Sequence, residues 1–121
     1  MSSAQPAAPD RGSPRSAIAN AVVRLHAEHY GRGPTRARAH LGDDHVLVVL
    51  EDVLTVAERT LVRHGHGDKV KAARESFNDA LRGEFVAAVE GIIGRRVRAC
   101  LCQLHLEPEV AMELFMLEPA A

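Results

Sequence analysis

Aromatic residues are scarce in this sequence, which has no Trp, one Tyr and three Phe among 121 residues. Proteins that bind single-stranded nucleic acid stack the bases on aromatic side chains in a basic groove. The charges nearly cancel, at a formal net charge of −1, so no overall attraction to nucleic acid arises from charge either. We therefore expect no nucleic-acid partner.

Long apolar runs are also missing. The longest strongly apolar run, residues 46–50, is far shorter than the ~20 residues that a membrane-spanning helix needs. Residues 1–13 mix Ser, Ala, Pro, Asp and Arg without the apolar segment of a secretory signal. We expect a disordered N-terminal tail over residues 1–13 and a cytoplasmic protein that is not inserted in the membrane.

Cysteine is limited to Cys100 and Cys102, one residue apart. In a strand this spacing places both side chains on one face. Two interpretations stay open: a strained bridge or half of a metal site, and two small buried side chains in a reducing compartment. We favour the second, because no other cysteine pair could complete a tetrahedral zinc site.

What the sequence does contain is the pattern of one globular domain, with 46% apolar and 26% charged residues. Turn and capping residues divide this pattern into helices over 14–30, 55–64 and 68–94 and strands over 35–41, 45–50, 96–106 and 110–117. The order α-β-β-α-α-β-β predicts a single α+β domain over residues 14–118. Its sheet should be four-stranded and mainly antiparallel, with helices packed on it.

Two local patterns give sharper predictions. Thr55 and Glu58 have the spacing of a capping box, which predicts that the second helix begins there. The long helix carries apolar residues every three to four positions. This stripe predicts that Phe77 and Phe85 lie in the core.

The loop of residues 31–38 is the main candidate site. Gly33 allows a close approach of the backbone, and the guanidinium groups of Arg32, Arg36 and Arg38 surround it with forked hydrogen-bond donors. Arg36 and Arg38 are two apart in a predicted strand and so share a face, whereas Arg32 would have to fold back across Pro34. We predict a site here for an anion or for an acidic partner.

Histidines offer a less specific alternative. His26 and His29 are one turn apart on the first helix, and His64 and His66 lie in a glycine-containing turn. Whether either pair binds metal stays open. No nucleophile elbow, Walker loop or His-Glu-x-x-His pattern is present, so we assign no catalytic residue, metal or cofactor.

Both faces of the predicted sheet are apolar. The strand of residues 45–50 is apolar on both sides, and in residues 96–106 Cys100, Cys102 and Leu104 face opposite to Ala99 and Leu101. The helices of so short a chain leave one face open, and an open apolar face usually marks an interface. We predict a homo-oligomer, most simply a dimer.

Three short motifs are similar to the MpsC-like domain family over about residues 16–117: Tyr30-Gly31-Arg32-Gly33-Pro34, Leu54-Thr55-x-x-Glu58-x-x-Leu61 and Arg74-x-x-Phe77. The resemblance implies an association with bacterial Na+-translocating, membrane-potential-generating systems that are linked to inorganic-carbon uptake. It supplies no active-site residues, because members are small soluble domains without established catalytic groups.

These observations give one leading expectation and two rivals. We expect a non-enzymatic cytoplasmic accessory or regulatory protein, with a protein of the membrane transport system as its candidate partner. The first rival is a sensor that binds a small anion or metabolite through the arginine loop. The second is a metal-dependent enzyme that uses the histidines.

Overall fold

The structure, a computed structural model, describes residues 13–120. The predicted element order is confirmed, and the elements are α1 (Pro14–Tyr30), β1 (Arg36–Leu41), β2 (His45–Glu51), α2 (Val56–Arg63), α3 (Gly67–Ile93), β3 (Val97–His105) and β4 (Val110–Leu117). The predicted disordered tail lies outside the described residues except for Ser13. No helix within the described range is long and apolar enough to cross a membrane.

Local capping fixes the ends of α1. The Ser13 hydroxyl accepts a hydrogen bond from the Ser16 backbone N–H at 3.1 Å, and Pro14 occupies the first helical position. At the other end Gly31 adopts φ +84° and donates its N–H to the Ala27 carbonyl. Residues with a side chain rarely adopt this left-handed backbone conformation, so glycine is favoured where the chain leaves the helix.

The predicted capping box of α2 is confirmed. The Thr55 hydroxyl accepts from the Glu58 N–H at 3.2 Å, and the Glu58 carboxylate accepts from the Thr55 N–H at 2.8 Å. Helix α3 differs, because its cap residue, His66, makes no side-chain hydrogen bond to the helix end. Helix α2 therefore has a well-defined start, and α3 depends on packing for its position.

All strand pairs are antiparallel and the sheet order is β1-β2-β4-β3. Two hairpins thus lie side by side, and β2 pairs with β4 at the centre. The face towards the helices, here called the inner face, carries Val46, Val48 and Leu50 from β2 and Glu113 and Phe115 from β4, all buried. The main core lies between this face and α1 and α3.

The prediction for the two phenylalanines holds for Phe85 only. Phe85 is 4% exposed in the core, whereas Phe77 is 47% exposed, so its predicted burial is wrong. On this part of α3 the buried stripe passes through Arg74, and Phe77 packs edge-on against Tyr30 with ring centroids 5.2 Å apart. An arginine with internal partners occupies the position that the apolar pattern assigned to phenylalanine.

Candidate functional site

In the structure, the arginines of the predicted loop lie in two separate places. Arg32 turns towards Asp52, donating to its carboxylate at 3.1 Å, and also donates to the Leu54 carbonyl at 2.6 Å. The hydrogen bond from Arg32 is the main reason why the pKa of Asp52 lies below its ordinary value. Arg32 therefore ties its loop to the end of β2 and does not join the other two arginines.

Arg36 and Arg38 do share a face of β1, and both lie near one carboxylate. Their guanidinium nitrogens are 3.7 and 3.8 Å from Glu51 Oε2, and both side chains are more than half exposed. Gly33 has a packing role, since a Cβ there would lie 3.1 Å from both Val23 Cγ1 and the Val23 carbonyl oxygen. Binding of an anion or acidic partner by this set stays a prediction.

The two histidines of α1 have separate partners. His26 is buried and lies 3.1 Å from Glu113, while His29 lies 3.1 Å from Glu84 on α3. The ligand atoms of Glu28, His29 and Glu84 are all within 4.8 Å of one another, at an exposed position. His26 and His29 therefore do not face one metal ion, and His64 and His66 are exposed in the turn before α3.

A buried ion pair organises the end of the core near α2. Arg74 is 4% exposed and donates to both Glu58 carboxylate oxygens at 2.7 Å and to the Val53 carbonyl at 2.9 Å. Burial alone would raise the pKa of Glu58, but hydrogen bonds from Arg74 and Thr55 outweigh it and hold the pKa below the ordinary value. The same carboxylate therefore caps α2 and neutralises the charge of Arg74 on α3.

Tyr30 lies between this ion pair and the His26–Glu113 pair. The Arg74 guanidinium carbon is 3.8 Å from the Tyr30 ring centroid, a cation–π contact, and the centroids of the Tyr30 and His26 rings are 5.3 Å apart. Burial raises the pKa of the Tyr30 hydroxyl. Glu113 Oε1 and the Tyr30 hydroxyl are buried and have no hydrogen-bond partner among the described residues. The buried polar cluster, formed by His26, Tyr30, Glu58, Arg74 and Glu113, therefore contains two polar atoms without a hydrogen-bond partner among the described residues.

Cys100 and Cys102 occupy the inner face of the edge strand β3, as their spacing predicted, and both are half-buried free thiols. A hydrogen bond from the Cys102 thiol lowers the pKa of Cys100, and the same bond together with burial raises the pKa of Cys102. The positive charge of Arg82 on α3 also lowers the pKa of Cys100. Cys102 also lines a groove of about 330 Å³ between α3 and β3.

The opposite side of the sheet, here called the outer face, is formed by the alternate residues that point away from the helices. Four of its residues meet in two central cross-strand pairs, Leu47 with Leu114 and Val49 with Met112. Leu101 extends the apolar area on β3 and is 52% exposed, and Met112 is 37% exposed. Polar side chains surround this centre: Arg36, Arg38, His40, His45, Glu51, Gln103 and His105.

A comparison with known protein families gives a match over nearly the whole chain. The model of the family described as "Na+-translocating membrane potential-generating system (MpsC)" matches residues 10–119. Comparisons with curated proteins and with solved structures give no significant match. Because the family match covers nearly the whole chain and includes every element of the fold, this protein belongs to the MpsC family.

Proposed function

We propose that this protein is a non-enzymatic, cytoplasmic accessory or regulatory component of a Na+-translocating membrane-potential-generating system, and that it works as a homodimer assembled through the outer face. The observation that carries the proposal is the apolar centre of that face, ringed by polar side chains. Protein interfaces have this composition, with an apolar core and a polar rim. The description of the family supports the assignment to a Na+-translocating membrane-potential-generating system.

The size of the outer face fits a small dimer interface. Four strands about 4.8 Å apart and seven residues long, at about 3.3 Å per residue, give roughly 440 Å² per copy. Two copies together bury roughly 900 Å², which is below the ~1,000 Å² of stable interfaces and in the range of weak, transient ones. We therefore expect a dimer that dissociates in the micromolar range.

Charge favours one of the two symmetric ways of stacking two such sheets. A two-fold axis perpendicular to the strands would place β1 over β1 and bring Arg36 and Arg38 of the two copies together. An axis along the strands places β1 over β3, where the facing residues are Gln103 and His105. The second arrangement avoids like charges at the rim, so it is the one we propose.

A non-enzymatic role is supported by how the buried charges are used. Arg74 is engaged by Glu58 and by a backbone carbonyl, and His26 is engaged by Glu113. Groups held in this way stabilise packing between helices and sheet. A surface that assembles is therefore a better candidate for the function than the buried polar cluster.

The assembly is tested by the mass of the protein in solution. Leu114→Lys introduces a charge at the centre of the outer face and should convert the dimer to a monomer with an unchanged circular dichroism spectrum. Val56→Lys is the matched control, because Val56 is 76% exposed on α2, away from the outer face. Sedimentation velocity from low to high micromolar concentration should show a dimer for the wild type and for Val56→Lys. A wild-type monomer at all concentrations would refute the assembly.

The cellular role needs a second experiment. In a host that lacks this protein, the Na+-dependent part of the membrane potential should fall, as measured with a voltage-sensitive dye. The wild type and Val56→Lys should restore it, and Leu114→Lys should not. An unchanged potential in the deletion strain would refute the accessory role, whatever the oligomeric state.

The alternative, an anion or metabolite sensor, is favoured by one observation. Arg36 and Arg38 share a single carboxylate, Glu51, so the rim near β1 keeps excess positive charge. Calorimetry with bicarbonate and phosphate would detect binding, and Arg36→Gln and Arg38→Gln should each weaken it. Heats of dilution only, in the wild type, would remove this alternative.

A further inference from the structure

The thiol pair on β3 has a geometry that suits a metal ion of low coordination number. We propose that Cys100 and Cys102 bind one Cu(I) ion as a two-coordinate bis-thiolate site on the inner face of β3, beside α3. Soft thiolate ligands select soft ions such as Cu(I). The site is on the opposite side of the sheet from the outer face, so it does not depend on dimer formation.

Strand geometry separates metal binding from disulfide formation. Residues two apart in a strand have Cα atoms about 6.4–6.8 Å apart with nearly parallel Cα–Cβ bonds. A disulfide needs Cβ atoms about 3.5–4.5 Å apart, which this backbone does not supply without moving. Two metal–sulfur bonds of about 2.3 Å, the length of a zinc–thiolate bond, span roughly 4.6 Å when they are collinear. Because both side chains lie on the same face of β3, their sulfur atoms can meet that span by side-chain rotation.

The ligand set also decides which metal fits. Zinc in proteins takes four ligands or three ligands and water. Within residues 13–120, the one group of three metal-binding side chains with suitably close ligand atoms is Glu28, His29 and Glu84, and neither cysteine belongs to it. A two-sulfur site is complete for Cu(I) and incomplete for Zn(II), so we expect selectivity for the monovalent ion.

The surroundings of the two thiols provide charged groups of both signs and access from solvent. Binding releases both thiol protons to solvent and forms two Cu–S bonds, which leaves one net negative charge on the complex. Arg82 on α3 supplies a positive charge that lowers the pKa of Cys100, and Phe115 lies beside Cys100 in the sheet. Glu113, opposite Cys102, supplies a negative charge that raises the pKa of both thiols, and His26 holds one of its two carboxylate oxygens. The groove lined by Cys102 gives the ion a path from solvent.

Anaerobic titration of the full chain with Cu(I), in competition with the chelator bicinchoninate, tests the site. The wild type should take one Cu(I) per chain, confirmed by native mass spectrometry, and Cys100→Ser and Cys102→Ser should each abolish it. Arg82→Gln should weaken binding by about 10- to 100-fold, as loss of a supporting group does at metal sites. Zn(II) should not compete.

Controls make the outcome specific. The double variant Met112→Leu/Met116→Leu removes the soft donors of the outer face and should bind Cu(I) like the wild type. Circular dichroism and the urea midpoint of each apo variant verify folding, and Cys100→Ala and Cys102→Ala replace any serine variant that does not fold. Retention of the ion by either single cysteine variant, loss of it in the methionine variant, or no binding by the wild type would overturn the proposal.

Discussion

The buried pair between Arg74 and Glu58 gives the strongest stability prediction. Arg74→Met keeps much of the side-chain volume but leaves the Glu58 carboxylate without its cation and the Val53 carbonyl without its donor. Breaking one partner of a buried ion pair costs about 3–5 kcal/mol. Since the Glu58 side chain keeps 19% of its surface accessible, water compensates in part, and we expect a loss of about 3 kcal/mol, the low end of that range.

A double-mutant cycle tests the physical reason for this loss. Glu58→Gln removes the charge and keeps an oxygen that can accept from the Thr55 N–H. The double variant should therefore cost less than the sum of the two single variants, by about 1 kcal/mol or more. Urea unfolding followed by far-ultraviolet circular dichroism is the suitable assay, because the chain has no Trp, and a fixed protein concentration keeps dimerisation constant. A cost below about 1 kcal/mol for Arg74→Met would refute the reasoning.

Three further predictions concern the same fold. Thr55→Ala should lower the free energy of unfolding by about 0.5–2 kcal/mol, whereas Thr55→Ser should retain the cap; equal urea midpoints for wild type and Thr55→Ala would contradict the cap. Phe85→Ala should cost about 3–5 kcal/mol and Phe77→Ala only about 1 kcal/mol, because Phe77 is half exposed; the reverse order would contradict the assignment. The folded pKa of Glu58 is below the ordinary 4.5, so its contribution is complete above about pH 4.5 and is lost as the pH falls through the folded value. Glu58→Gln should therefore reduce the loss of stability in acid, and an unchanged pH profile would exclude this carboxylate as the cause.

The element order was predictable because its signals are local. The Thr55–Glu58 pair acts within a few residues of its own position and does in the structure what its spacing predicted, and Ser13 and Gly31 fix the ends of α1 through equally local hydrogen bonds. The continuous apolar run in β2 is likewise explained by a strand that is covered on its inner face and apolar on its outer face. Patterns that act within a few residues can be recognised in the sequence without knowing which distant residues are in contact.

The polar interior could not be predicted in the same way, because its partners are far apart in sequence. Arg74 was assigned no buried role, although its neutralising carboxylate, Glu58, was already identified as a cap. One signal was present for Glu113: it shares a face of an otherwise apolar strand with Phe115. An ionisable residue that shares a strand face with core residues predicts a buried partner, which here is His26. The pattern does not indicate which element of the fold provides that partner.

The directions of the arginine side chains could not all be predicted from the sequence either. Strand periodicity correctly placed Arg36 and Arg38 on one face. The position of Arg32 depended instead on Asp52, which lies 20 residues away. Loop side chains follow the nearest opposite charge in space, and that charge is known only once the hairpin of β1 and β2 is placed beside the loop.

The central pairing of β2 with β4 has a consequence for synthesis on the ribosome. It joins the middle of the chain to its end, so β2 emerges long before the strand that covers its second edge. During that interval a Val- and Leu-rich segment with one open edge is a template for aggregation. Helix α1 is made before β2 and helix α3 before β4, and both are built from local contacts, so these two helices can shield the inner face during the interval. Misassembly is therefore most favoured before the last hairpin leaves the ribosome.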